Sequence, residues 1–255
     1  MPGYPANRGR GNPRGRKRGF KRQIKYGGGT KMTYSQARKT TASNYQIPFP
    51  PFMKTQLKWA GYWPLMYAGD GVYTSTVKTI RCNSLYDPSY TEITGTTVNS
   101  QPMFFDQLCG VSAPYTKYLV KGMKYNIKFA SPVSQDAFVV VRPTAGAHIP
   151  DTSDLKAMWV EEQRLRAKKY TLIRGSKQPI IKGYVDIANI YGVSKDAVRD
   201  DDTFQADYAN NPDKAVQLNI LVTNCDGTAN ANYVPMNVQC TYFVHFFDRN
   251  ILNYS

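Results

Sequence analysis

The first 69 residues contain no aspartate or glutamate, although 14 of them are lysine or arginine. The rest of the chain holds 19 basic (33 − 14) and 18 acidic residues, so residues 70–255 supply only +1 of the +15 net charge. An excess gathered in one terminal segment belongs to a tail rather than a fold. It seeks polyphosphate or an anionic surface. Long apolar runs are also missing. None approaches the roughly 20 residues of a spanning helix, so no membrane insertion is expected. The Gly-, Arg- and Pro-rich N-terminus lacks the apolar stretch of a secretory signal. The four cysteines, Cys82, Cys109, Cys225 and Cys240, form no Cys-x-x-Cys pair. That argues against a disulfide framework or a zinc finger and predicts buried free thiols.

Catalytic residue types are equally sparse. The histidines are His148, in a Gly/Pro-flanked loop, and His245, in an alternating apolar segment where a structural role is expected. Neither has a nucleophile, an acid partner or a metal-ligand set at a readable spacing. Asp200, Asp201 and Asp202, with Asp196 and Asp207, form the one acidic cluster. It offers oxygens to a hard cation but lacks the spacing of a calcium loop. The favoured reading is an exposed loop or a contact to a neighbour's basic residues. Glu161 and Glu162 ahead of Arg164, Arg166, Lys168 and Lys169 read as a solvated charged face. The chain is therefore expected to be no enzyme and to use no metal or cofactor.

Residues 1–25 have Ile24 as their only large aliphatic side chain. Such a segment buries too little apolar surface to offset its ordering entropy, so disorder is expected. Gly27, Gly28 and Gly29 extend it, and Pro48, Pro50 and Pro51 stiffen the entry into the folded part of the chain. The predicted division is a disordered Arg/Lys/Gly-rich arm, 1–45, and one folded domain, 46–255. In the arm, Arg8, Arg10, Arg14, Arg16, Lys17, Arg18, Lys21, Arg22 and Lys25 are the candidate nucleic-acid ligands. Arginine forks onto phosphate and lysine acts as a point charge, while counterion release makes the affinity salt-sensitive and indifferent to base sequence. Tyr4, Phe20, Tyr26 and Tyr34 are placed to stack on unpaired bases. Arg16, Lys17, Arg18, Lys21 and Arg22 also fit a nuclear import signal read by a host import receptor.

The domain reads as strands. Tyr125, Ile127 and Phe129 alternate with polar residues; Leu218, Ile220 and Val222 give another period of two; and Val238, Cys240, Tyr242, Val244 and Phe246 repeat at every second position. Phe243 and Phe247 fall on the opposite face of that last strand, which predicts cover on both sides. Ala137–Val141 is a continuous apolar run. Strands are expected at 54–63, 72–82, 115–130, 136–142, 168–174, 179–188, 215–224 and 236–247, with a short helix at 154–161. Eight antiparallel strands with long connections suit an all-β, single eight-stranded jelly roll. Trp59, Tyr62, Trp63 and Tyr67 cluster near the first strand, as core, base-stacking platform or subunit contact.

Two stretches resemble coat proteins of circular, Rep-encoding single-stranded DNA viruses, the circovirus-like group. One is Gln101-Pro102-Met103-Phe104-Phe105-Asp106-Gln107-Leu108, followed by Tyr115-x-x-Tyr118-x-Val120-x-Gly122-x-Lys124. The other is Val193-Ser194-Lys195-x-x-Val198-Arg199-Asp200-Asp201-Asp202-x-Phe204. The resemblance implies a jelly roll of the viral capsid type, a homo-oligomeric icosahedral shell of sixty copies and a packaged single-stranded DNA genome. It also implies residence in the virion and in the host nucleus during assembly, and a host cell-surface receptor of unstated kind. The connections 83–114 and 189–214 carry apolar residues that a monomer hides poorly. Phe104, Phe105, Asp200, Asp201 and Asp202 are accordingly the candidate assembly contacts. The rival readings are a cellular single-stranded nucleic-acid-binding protein, which needs a charged groove on the domain, and an enzyme or sugar-binding jelly roll.

Overall fold

The computed structural model describes residues 49–63, 67–69, 75–89, 101–146 and 160–250. All of them lie in the second of two units, which divide between Pro48 and Phe49. The basic arm, His148 and most of the expected helix at 154–161 lie outside the described residues; residues 160–163 are helical.

The described residues form eleven strands: β1 (Met53–Trp63), β2 (Tyr67–Gly69), β3 (Ser75–Arg81), β4 (Tyr115–Phe129), β5 (Ala137–Ala145), β6 (Lys168–Leu172), β7 (Ile180–Asp186), β8 (Gln205–Asp207), β9 (Val216–Asn224), β10 (Asn232–Tyr233) and β11 (Met236–Arg249). The eight long ones sit where the alternation placed them. The additions β2, β8 and β10 are two or three residues each, too short to leave a periodic signal. Besides the helical 160–163, three short helices join them: α1 (Phe105–Leu108), α2 (Ile187–Tyr191) and α3 (Lys195–Asp200).

One sheet runs β1-β11-β4-β7, with β8 beside β4; a second runs β3-β9-β5-β6, and β2 pairs with β10 in a two-stranded piece. Every pairing is antiparallel. Numbered along the chain, the eight long strands read 1-8-3-6 in the first sheet and 2-7-4-5 in the second. That order is the double Greek key of a jelly roll.

The core lies between the sheets, built by period-two alternation. In β11, Met236, Val238, Cys240, Tyr242, Val244 and Phe246 are buried, while Asn237 and Gln239 are exposed. Phe243 and Phe247 are only half-buried, so β11 is covered fully on one side alone, contrary to expectation. The strand buried at every position is β9. Its second face is mostly polar, with Leu221 packed on Val140, and a ladder satisfies Asn219: Thr79 donates to Asn219 at 2.8 Å and Asn219 donates to Thr144 at 3.2 Å. Buried tyrosines anchor the ends of the sandwich. Tyr242 donates to the Arg81 carbonyl at 3.0 Å, Tyr118 to that of Asn210 at 2.9 Å and Tyr115 to that of Pro50 at 2.9 Å. Each such bond contributes about 1 kcal/mol net, and losing the hydroxyl leaves a buried carbonyl unmet.

Two glycines make room for tyrosines on opposite faces of the first sheet. A Cβ on Gly183 would fall 2.2 Å from the Tyr125 hydroxyl, and one on Gly122 would fall 2.3 Å from that of Tyr184 and 2.8 Å from the Val185 carbonyl. Because the second clash involves backbone, Gly122→Ala is expected to lower stability by about 1–3 kcal/mol. Chemical denaturation of Gly122→Ala and of Gly122→Ala/Tyr184→Ala is the check. Removing the ring should recover only part of the loss, and full recovery would show that β7 moves freely.

Candidate nucleic-acid interface

Residues directly opposite in an antiparallel pair share a face. On the outer face of the five-stranded sheet, away from the core, Thr241 lies between Lys58 and Lys124, and Lys124 lies beside Tyr184. Asn237 lies between Tyr62 and Lys128, and Asn126 beside Lys182. Lys54 pairs with His245. Strands β1 and β4 together carry Lys54, Lys58, Lys117, Lys121, Lys124 and Lys128 and no acid. A domain that is nearly neutral in sum thus presents one cationic face, because its acids gather in the connections and at strand ends.

Aromatic rings lie among these lysines. Tyr184 and Phe243 meet edge to face at 5.8 Å. The Lys124 ammonium stands 5.6 Å from the Phe243 ring centre, and that of Lys54 stands 5.8 Å from Phe52. Tyr62 is 63% exposed on this face, whereas Trp59 and Trp63 point into the core. Of the aromatic cluster near the first strand, alternation therefore makes Trp59 and Trp63 core residues and Tyr62 a surface residue, while the Tyr67 side chain lies outside the described residues.

A bulge concentrates charge at one end. Gly122 pairs with Phe243 and Val120 with Val244, which leaves Lys121 as the extra residue. It comes beside Lys54, His245 and α3. Burial lowers the Lys121 pKa, and Lys54 and Arg199 lower it further. Burial also pushes His245 down to about 4, reinforced by Lys121, Lys54 and Arg199, so the imidazole is neutral near pH 7. Among the described residues no group of three or more His, Cys, Asp or Glu side chains is placed to hold a metal ion.

The residues singled out in sequence take up quite different positions. Arg8 through Lys25 lie outside the described residues. Phe104 is exposed, with its backbone in the left-handed region at φ 69°. Phe105 is a core residue, packed on Tyr118 at 5.3 Å and Phe246 at 6.4 Å, and so presents no contact surface. Asp200 pairs with Arg199 at 2.8 Å. Asp201 pairs with Lys214 at 2.7 Å and accepts from the Thr203 backbone N–H at 2.9 Å. These bonds hold its pKa down to about 2. Asp202 is exposed and opens a 3₁₀ turn. The 189–214 connection hides more than expected. Phe204 is buried against Tyr191 at 5.1 Å, and Val198 is buried as well. Glu161 is no solvated residue either. It is buried, pairs with Arg142, and meets Arg164 at 2.9 Å. All four cysteines are free thiols, and three are buried.

The cationic face was not anticipated. Its signal was present in the outward positions of β1 and β4, which are repeatedly lysine and never acidic.

No protein-family model matches the sequence, and no curated protein does. Solved structures similar in fold include Cocksfoot mottle virus, at 8% identity and TM-score 0.43, covering 78% of this chain and 97% of that one. The 60-mer BFDV capsid protein is 9% identical at TM-score 0.43, over 81% and 100% of the two chains. Tobacco necrosis virus is 12% identical at TM-score 0.42, over 78% and 97%. At this distance the jelly roll is established by the strand order of the chain itself.

Neutral His245 has a consequence for acid stability. The unfolded chain takes up a proton on this side chain below about pH 6.5, whereas the folded chain resists until about 4. Its contribution is therefore intact above 6.5 and is lost as pH falls toward 4. Thermal midpoints should fall more for wild type than for His245→Gln over that window. Parallel curves would show that another group governs.

Proposed function

We propose that the chain is the coat protein of a small single-stranded DNA virus of the circovirus-like kind, assembling into an icosahedral shell and packaging its genome through the basic arm. The observation that carries this reading is the union of an acid-free segment bearing 14 basic residues with an eight-stranded jelly roll. A closed sandwich is a rigid tile whose connections are free to vary, and a cationic arm gathers polyanion without reading its sequence. Sixty copies, the nuclear stage and import through Arg16–Arg22 rest on the resemblance of the 101–124 and 193–204 stretches. The exposed Phe104, the neighbouring Met103 and the Asp200 and Asp202 carboxylates are the surface groups we assign to contacts between copies.

A second reading, a cellular single-stranded nucleic-acid-binding protein, gains from the lysine face, which supplies the charged surface that reading requires. Electron microscopy of the purified protein separates the two, since closed particles belong only to the first.

Deleting residues 1–40 removes 12 of the 33 basic residues. The truncated chain should keep its β-rich circular dichroism and lose at least about tenfold in affinity for single-stranded DNA at moderate salt. Equal affinity with and without the arm would show that the arm is not the main binding element.

A further inference from the structure

Two pockets of about 370 Å³ each open on the outer face of the five-stranded sheet and share Lys54, Lys121 and His245. Tyr184 and Phe243 wall the first, and Phe52 and Phe247 wall the second. Cationic groups thus stand between two aromatic compartments. This is the arrangement that a phosphate flanked by two unpaired bases would fill. A duplex hides the faces of its bases, so the rings select a single strand.

The neighbouring carboxylates are already engaged. Asp186 accepts from the Ala188 backbone N–H at 3.1 Å and faces Lys195 at 3.7 Å. Asp196 and Asp200 pair with Arg199 at 3.3 and 2.8 Å. Neither Lys54 nor Lys121 has an ion-pair partner among the described residues. The groups facing His245 are therefore Lys54 from β1, Lys121 from β4 and, from α3, Arg199, with Lys195, Asp196 and Asp186 at the margin.

We propose that these pockets take two successive nucleotides of a single-stranded nucleic acid, the phosphate between them held by Lys54, Lys121 and a proton that His245 takes up on binding. Burial first, and these cations second, keep His245 neutral in the free protein; a phosphate seated among the cations offsets their share, so its proton affinity rises. The site uses no residue of the arm, although naming nucleic acid as its ligand rests on the function proposed above.

Binding of a thymidine oligonucleotide without terminal phosphates to the full chain, measured from about pH 8 to about pH 5, is the test. Neither the thymines, the phosphodiesters nor the Lys and Arg of the arm titrate in that range. Affinity should be about tenfold tighter at the acid end. The dependence should vanish in both His245→Gln and His245→Asn and persist in His148→Gln. Lys54→Gln/Lys121→Gln should weaken binding at acid pH by about tenfold. A flat wild-type profile, or the same slope in both His245 variants, would overturn the proposal. So would a double lysine variant that binds normally but self-associates less, which would mark the face as a contact between copies. Failure of the arm reading looks different: arm deletion would then leave the affinity unchanged while the pH slope remained.

Discussion

Each strand of a sandwich must give every second side chain to the core, and that rule leaves the other half no choice of direction. In β4, Tyr125, Ile127 and Phe129 go inward, so Lys124, Asn126 and Lys128 go outward. In β1, Leu57, Trp59 and Trp63 bind the sheets together, so Lys54, Lys58 and Tyr62 share the far side. The pairing register then brings these outward residues into rows. Core and cationic face are two sides of one alternation. A slip of one residue would exchange them, at the cost of burying several charges.

The strands were legible because period two survives in a single sequence. The alternating runs in β4, β9 and β11 needed no neighbours to be recognised. What depended on partners was less legible. The burial of the second face of β9 was not legible, because nothing in Gln217 or Asn219 announces that Thr79 and Thr144 will stand beside Asn219. Glu161 looked like part of a charged surface, because Arg142 lies nineteen residues away in β5. Phe104 and Phe105 were read together, and only the left-handed backbone at Phe104 sends one outward while its neighbour enters the core.

The interface was half legible. Charge counting found the arm at once, since residues 1–69 have no acid to mask it. The same counting concealed the sheet face. Asp196, Asp200, Asp201, Asp207 and Asp213 in the connection before β9 balance the lysines in the sum but not in space. Position by position, the outward residues of β1 and β4 carry the signal; averaged over the domain, it disappears. Of the rings that accompany the lysines, Tyr62 was read as core, base-stacking platform or subunit contact and Tyr184 not at all, because the bulge at Lys121 and the approach of α3 join lysines and rings only in three dimensions.

Among the described residues β1 lies at the margin of its sheet, paired with β11 and with the Met103 N–H donating to its Lys58 carbonyl at 3.2 Å, and a strand at a margin invites another chain to add itself as a further strand. Against such addition stand the 101–103 segment at Lys58 and the mutual repulsion of the Lys54 and Lys58 ammonium groups. The charges that oppose strand addition are then the same ones proposed to draw in a polyanion. Any counterion that neutralises them without also covering the margin leaves the chain open to stacking.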